Sequence, residues 1–173
     1  EVRPTTDRVR ESVFATIAPL LEGARVLDLF AGSGALGLEA ASRGAAAVTW
    51  VERDPAVHGA LRRTVQKLCC GLEVRADCVK QDAHRFMDRD AAARGPWDVI
   101  LADPPYDAAG AVEAVPQLMA TVWQRSLLAP GGVLVYEMPA RVKSAVPEGW
   151  RLVRDKTYGR TRVAIWTPVT VAD

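Results

Sequence analysis

The four residues Asp103-Pro104-Pro105-Tyr106 follow directly on an apolar run, Trp97 to Ala102 (WDVILA). Two consecutive prolines fix the backbone and remove two N–H donors, which leaves carbonyl oxygens facing outward. Asp103 adds a carboxylate acceptor and Tyr106 a flat ring. Acceptors beside a stacking surface make a socket for a planar base with an exocyclic –NH₂: two N–H bonds to receive and a ring to hold. A paired base cannot enter such a socket, so its target would be unpaired or flipped out.

A second chemical element lies upstream, in VLDLFAGSGALG (Val26 to Gly37). Gly32 to Gly37 match G-x-G-x-x-G behind a strand-like run, the pattern of a loop that holds an adenosine-containing cofactor. Glu52 stands 20 residues after Gly32, a spacing suited to a carboxylate that accepts both ribose hydroxyls. NAD and S-adenosylmethionine fit that much equally. Asp28, however, sits where a carboxylate would oppose a pyrophosphate and attract an ammonium group. Gln81-Asp82-Ala83 offers an acceptor for an adenine amino group and a backbone donor for a ring nitrogen. Taken with the Asp103–Tyr106 socket, these features favour S-adenosylmethionine and predict methyl transfer to an amine. The two histidines (58, 84) and three cysteines (69, 70, 78) show no ligand spacing, so no metal is expected.

These residues need a scaffold that gathers strand ends. Val9, Val13, Ile17, Leu20 and Leu21 keep helical spacing over about 7–21, with Thr6 as a cap. Strand runs follow at Arg25–Phe30, Val48–Val51 (ending in Glu52), within Glu73–Lys80, at Trp97–Ala102 and at Val133–Met138. Between them the pattern predicts helices to about Arg43, from Asp54-Pro55 with a core stripe of Val57, Leu61, Val65 and Leu68, over Ala83–Arg94, and near 110–126 around Pro116. Arg151–Tyr158 and Arg160–Thr167 are joined so tightly at Gly159 that they must be antiparallel. The expected fold is α/β and Rossmann-like: a mostly parallel seven-stranded sheet with an antiparallel C-terminal hairpin, and helices on both faces.

The chain of 173 residues suits a single domain (1–173), and 49% apolar with 25% charged residues is an ordinary globular composition. No apolar run reaches about 18 residues, so no membrane span is expected. An odd number of cysteines, two of them adjacent, fits a reducing cytoplasm. The net charge is only +1, but Arg151, Arg154, Lys156, Arg160 and Arg162 stand against Asp155 alone, and Arg3, Arg8 and Arg10 crowd the other end. Such clusters are candidates for phosphate contacts. The first residue is Glu1, and a leading segment is expected before it.

At this point a resemblance enters. VLDLFAGSGALGLEA together with LADPPY resembles class I S-adenosylmethionine-dependent methyltransferases that modify exocyclic amines. RPTTDRVRESVF (Arg3 to Phe14) resembles, more narrowly, the bacterial RsmD-like family, which methylates N2 of a guanine in 16S rRNA. The likeness runs from Arg3 to GRTRVAIW (Gly159 to Trp166). It implies that Asp28, Phe30, Ala31, Gly32 and Gly34 line the methionine portion of the cofactor, and that Glu52 holds the ribose. Arg53 would lie beside the adenine, with Asp82 and Ala83 on its edge. Asp103, Pro104, Pro105 and Tyr106 would receive the guanine. From the charge clusters, Arg3, Arg8, Arg10, Arg160 and Arg162 are the candidates to meet this RNA. The implied partner is 16S rRNA or the assembled small subunit, with a monomer as the simpler state. Family members usually carry a basic β-hairpin ahead of this segment, which the sequence lacks. The residues alone leave other amines open, adenine N6 in DNA or RNA and protein glutamine, as well as a non-catalytic RNA-binding module.

Overall fold

The computed structural model describes the backbone of residues 4–105 and 111–169 and the side chains of 7–105 and 114–169. Arg3, Tyr106 and the Thr6 side chain lie outside this set. Seven strands run in chain order: β1 (Arg25–Leu29), β2 (Ala47–Glu52), β3 (Arg75–Lys80), β4 (Trp97–Ala102), β5 (Leu128–Pro139), β6 (Trp150–Tyr158) and β7 (Thr161–Pro168). Helices connect them: α1 (Pro4–Ile17), α2 (Ala35–Ser42), α3 (Pro55–Leu68), α4 (Ala83–Arg89), α5 (Ala91–Arg94) and α6 (Ala111–Gln124). The strands form one sheet in the order β3-β2-β1-β4-β5-β7-β6. The first five are parallel and β7 is antiparallel to both its neighbours, as the sequence predicts.

Continuous apolar strands bury both faces of this sheet. One core packs Trp97, Ile100, Leu134 and Trp166 under α4 and α6 with Phe86 and Met119. The other packs Val26, Trp50, Val99 and Ile165 under α1, α2 and α3 with Phe14, Ala40 and Leu61. Among the described residues no helix is long and apolar enough to cross a membrane.

Four local expectations differ. The helix expected over Ala83–Arg94 breaks at Asp90, whose carboxylate turns away to accept from Gln81 Nε2 at 2.8 Å. β5 starts at Leu128, before Pro130-Gly131-Gly132: Leu128 pairs with Trp97, and a register shift in the ladder lets the insertion pass. In α3 only Leu61 and Val65 are buried, while Val57 is 39% and Leu68 54% exposed. Finally, α1 gives way to a 3₁₀ turn at Ala18–Leu20, where Pro19 supplies no N–H.

At Gly37, α2 lies directly against β2. A Cβ there would lie 2.3 Å from Nε1 of the fully buried Trp50. Gly37→Ala should therefore destabilise the protein by about 1–3 kcal/mol through overpacking. Thermal unfolding checks this, and an unchanged melting temperature would mean that α2 can lift off β2 at no cost.

Candidate active site

The C-terminal ends of β1, β2, β3 and β4 surround a cleft of about 730 Å³. Phe30, Ala31 and Gly32 line it from the first loop, Glu52 and Arg53 from the end of β2, Asp82 and Ala83 from the start of α4. Asp103, Pro104 and Pro105 complete it from the end of β4. Residues far apart in the chain meet there because parallel strands deliver all their C-terminal ends to one edge.

The loop after β1 has an unusual backbone. Phe30, Gly32 and Gly34 all take left-handed conformations, with φ of 57°, 54° and 81°. For Phe30 this is strained. It is held by the Ala31 N–H donating to Val51 O at 2.9 Å, and its ring meets the edge of His84 at 5.9 Å. Side chains from below fix the rest. Gly32 N–H donates to Glu52 Oε2 at 2.9 Å, Trp50 Nε1–H to Gly34 O at 3.2 Å, and Gly37 N–H to Asp28 Oδ2 at 2.9 Å.

The two loop glycines differ in purpose. A Cβ on Gly32 would meet nothing nearer than Phe30 O at 4.0 Å, so its bare backbone faces open cleft that a ligand can approach. A Cβ on Gly34 would lie 2.4 Å from Leu61 Cδ1. Gly34 lines neither cavity described here, and its smallness serves packing.

Glu52 is bound at both oxygens, since Oε1 accepts from Asp54 N–H at 2.8 Å. Asp82 caps α4 by accepting from the N–H groups of His84 and Arg85. Val57, exposed rather than in the core, lines the cleft.

Beside the cleft lies a smaller cavity of about 150 Å³, under α1 and α2, into which Asp28, Asp103 and Glu137 project with Arg10. Asp28, only 2% exposed, has its carboxyl pushed up to about 8. Burial is the main cause; the Gly37 N–H opposes it, and the charges of Asp103 and Glu52 add to it. Asp103 opens to the cleft, yet the surrounding walls desolvate its carboxyl and raise it to about 6. Glu137 is raised to about 7 by burial and by Asp103. The Tyr136 hydroxyl is pushed up to about 12 by the same two influences. Carboxyls crowded in this way favour a cationic or hydrogen-bond-donating ligand.

Tyr136, Glu137 and His84 are site residues that the sequence reading missed. Glu137 was within reach, because an acidic residue at the end of an apolar strand is the signal that marks Glu52 and Asp103.

The arginines are distributed unevenly. Arg10 lines the smaller cavity and is engaged by Asp7 at 2.8 Å and Glu39 at 3.8 Å. Arg162 donates to Asp155 and to the Val142 carbonyl, both at 2.8 Å. Arg8 and Arg160 are exposed. Since Pro139 pairs with Thr161, the β6–β7 turn that carries Arg160 lies at the C-terminal end of β5, the same sheet edge as Asp103.

Residues 1–167 match the family described as Conserved hypothetical protein 95. The Haemophilus influenzae protein named Ribosomal RNA small subunit methyltransferase D is 35% identical over 158 residues, 91% of this chain and 79% of that protein. Its Escherichia coli K12 namesake is 36% identical over 172 residues, 95% of this chain and 79% of its own length. The solved structure of the methyltransferase yhhF from Escherichia coli superposes with a TM-score of 0.81 at 34% identity, covering 96% of this chain and 87% of that one. An RNA methyltransferase from Salinibacter ruber, solved with S-adenosyl-L-homocysteine, shares the fold at a TM-score of 0.68 and 18% identity, covering 96% and 94%.

The raised Asp28 carboxyl has a cost that pH should reveal. The folded state binds this proton more tightly than the unfolded chain, so stability falls as pH rises from 3.8 to about 8. Asn keeps the acceptor for Gly37 N–H without the charge. Asp28→Asn should therefore melt higher than the wild type, by a margin that grows with pH across this window to on the order of 5 °C. Melting curves of both proteins over that range test it, and a constant margin would mean that Asp28 does not titrate as described.

Proposed function

The chain belongs to the Conserved hypothetical protein 95 family, and from that premise we propose that it is an rRNA methyltransferase, which transfers a methyl group from S-adenosylmethionine to the exocyclic N2 amine of a guanine in 16S rRNA. It acts as a single-domain monomer in the cytoplasm, on 16S rRNA or the assembled small subunit. The observation that carries this reading is the shared cleft: the Asp103-Pro104-Pro105 acceptors at the end of β4 open into the same space as the glycine loop and Glu52.

The residues present fit the cofactor. Glu52 receives the ribose, and Arg53, Asp82 and Ala83 border the adenine. Phe30, Ala31 and Gly32 lie against the methionine portion, where Gly32 leaves room for it. Asp28, whose carboxyl the free site holds up at about 8, ionises against the arriving ammonium group, since an opposite charge favours the carboxylate. When bound, S-adenosylmethionine supplies a methyl group activated by a sulfonium.

The amine is the harder partner, because its lone pair is delocalised into the guanine ring. Asp103 and the Pro104 carbonyl accept its two N–H bonds and draw the nitrogen towards tetrahedral geometry. As positive charge develops on nitrogen, these fixed acceptors stabilise it without reorganising. Asp103 is then placed to receive the proton that the methylated amine sheds. Tyr106, beyond the described residues, provides the stacking ring. Arg8 and Arg160, exposed on the protein, meet RNA phosphates, and Arg3, outside the described residues, is a further candidate. Arg10 and Arg162 reach RNA only by giving up Asp7 and Asp155.

Incubation with methyl-labelled S-adenosylmethionine and unmodified 16S rRNA, small subunits, double-stranded DNA or a peptide pool tests the reading. Label is expected in N2-methylguanosine from RNA or subunits; label in N6-methyladenine or in peptide would overturn the substrate. Asp103→Ala should lower turnover by about 100-fold or more while cofactor affinity stays within about threefold. Retained turnover would remove Asp103 from the reaction.

A further inference from the structure

Asp103 has a carboxylate neighbour that the proposed reaction has not yet used. β4 and β5 are parallel, and Ala102 pairs with Tyr136. Asp103 and Glu137 are each one residue beyond that pair, so they stand on the next rung of adjacent strands, whose backbones lie about 4.8 Å apart. Successive strand residues face opposite ways. Tyr136 accordingly lines the large cleft, while Glu137 turns into the small cavity that Asp103 also lines. Neither carboxyl takes a hydrogen bond from any described residue.

Strand order gives this neighbour its role. Glu52 lies on β2 and Asp28 on β1, both on one side of β4, whereas Glu137 lies on β5, on the other. Asp103 thus stands between the strands that serve the cofactor and the strand that carries Glu137. A guanine whose N2 amine reaches Asp103 presents one further donor on the same edge, N1–H. Adenine presents an unprotonated N1 there, with a lone pair.

We infer that Glu137 determines the choice of base: its carboxylate accepts the guanine N1–H beside the N2 amine held by Asp103, and it repels a base whose N1 carries a lone pair. This inference rests on the guanine-N2 reading above. Two acidic side chains and the Pro104 carbonyl then face three N–H donors in a row, so guanine binding relieves the crowding of negative charge that the free site carries. Arg10, the one cation among the described residues lining this cavity, is already engaged by Asp7 and Glu39.

The test separates N1–H from the N2 amine. Target RNA is made with guanine or with 2-aminopurine at the methylated position; 2-aminopurine keeps the amine, replaces N1–H by a lone pair and also lacks O6, a loss common to both proteins and so cancelled in the comparison with the variant. At pH 8, where Glu137 is ionised, the wild type should prefer guanine by about 100-fold or more in kcat/KM, because a site built to accept a hydrogen bond rejects an analogue that cannot donate it. Glu137→Gln, whose amide can donate as well as accept, should reduce that preference to about tenfold or less, with cofactor affinity by calorimetry unchanged. A wild type that treats the two bases alike overturns the inference whether or not the variant folds. An unchanged preference in Glu137→Gln, or weakened cofactor binding with the preference intact, overturns it too, the latter assigning Glu137 to the cofactor. Failure of the underlying guanine-N2 reading looks different, since the wild type would then form no N2-methylguanosine on the guanine RNA, whether or not label appears elsewhere.

Discussion

The site depends on a backbone loop pinned from beneath by buried side chains. Asp28 on β1 holds the N–H of Gly37 in the first turn of α2, Glu52 on β2 holds the N–H of Gly32, and Trp50 donates to Gly34 O. Each partner comes from a strand whose position is set by the core, so the loop inherits the rigidity of the sheet. That support lets Phe30 persist in a left-handed conformation that a free loop would relax. It also explains why α2 must sit so close to β2: the three contacts converge only if no side chain at Gly37 separates helix from strand.

One of the carboxylates that pin the loop, Asp28, also belongs to a row that leaves the free site electrostatically unsatisfied. Asp28, Asp103 and Glu137 follow one another across β1, β4 and β5, each with its proton held above the ordinary carboxyl range. A fold optimised for stability alone would replace at least one of them by a neutral residue. Their presence is understandable if the partners they await are cations and N–H donors. The proposed cofactor and base bring both.

Much of this was legible in the sequence, for a definable reason. An acidic residue directly after an apolar run can be read without knowing any contact, and Asp28, Glu52, Asp82 and Asp103 all fall at or just beyond strand ends. The parallel sheet and its antiparallel close followed from run lengths and one tight turn. What periodicity cannot report is what faces a stripe: Val57 has core spacing but looks into the cleft. Composition cannot report pairing either, and Arg162 belongs to a basic cluster while its guanidinium is committed to Asp155. The break at Asp90 was hidden because neither proline nor glycine marks it.

β7 is the last strand among the described residues, yet it lies inside the sheet between β5 and β6, with Ile165 and Trp166 fully buried. Synthesis proceeds from the N-terminus, so until residues 161–168 have emerged the sheet ends at β5. β6 has nothing to pair with before then, and the turn that carries Arg160 to the catalytic edge cannot form. The sheet therefore closes only once residues 161–168 are in place. A chain cut short before β7 carries the cofactor loop in full and no closed sheet to hold it.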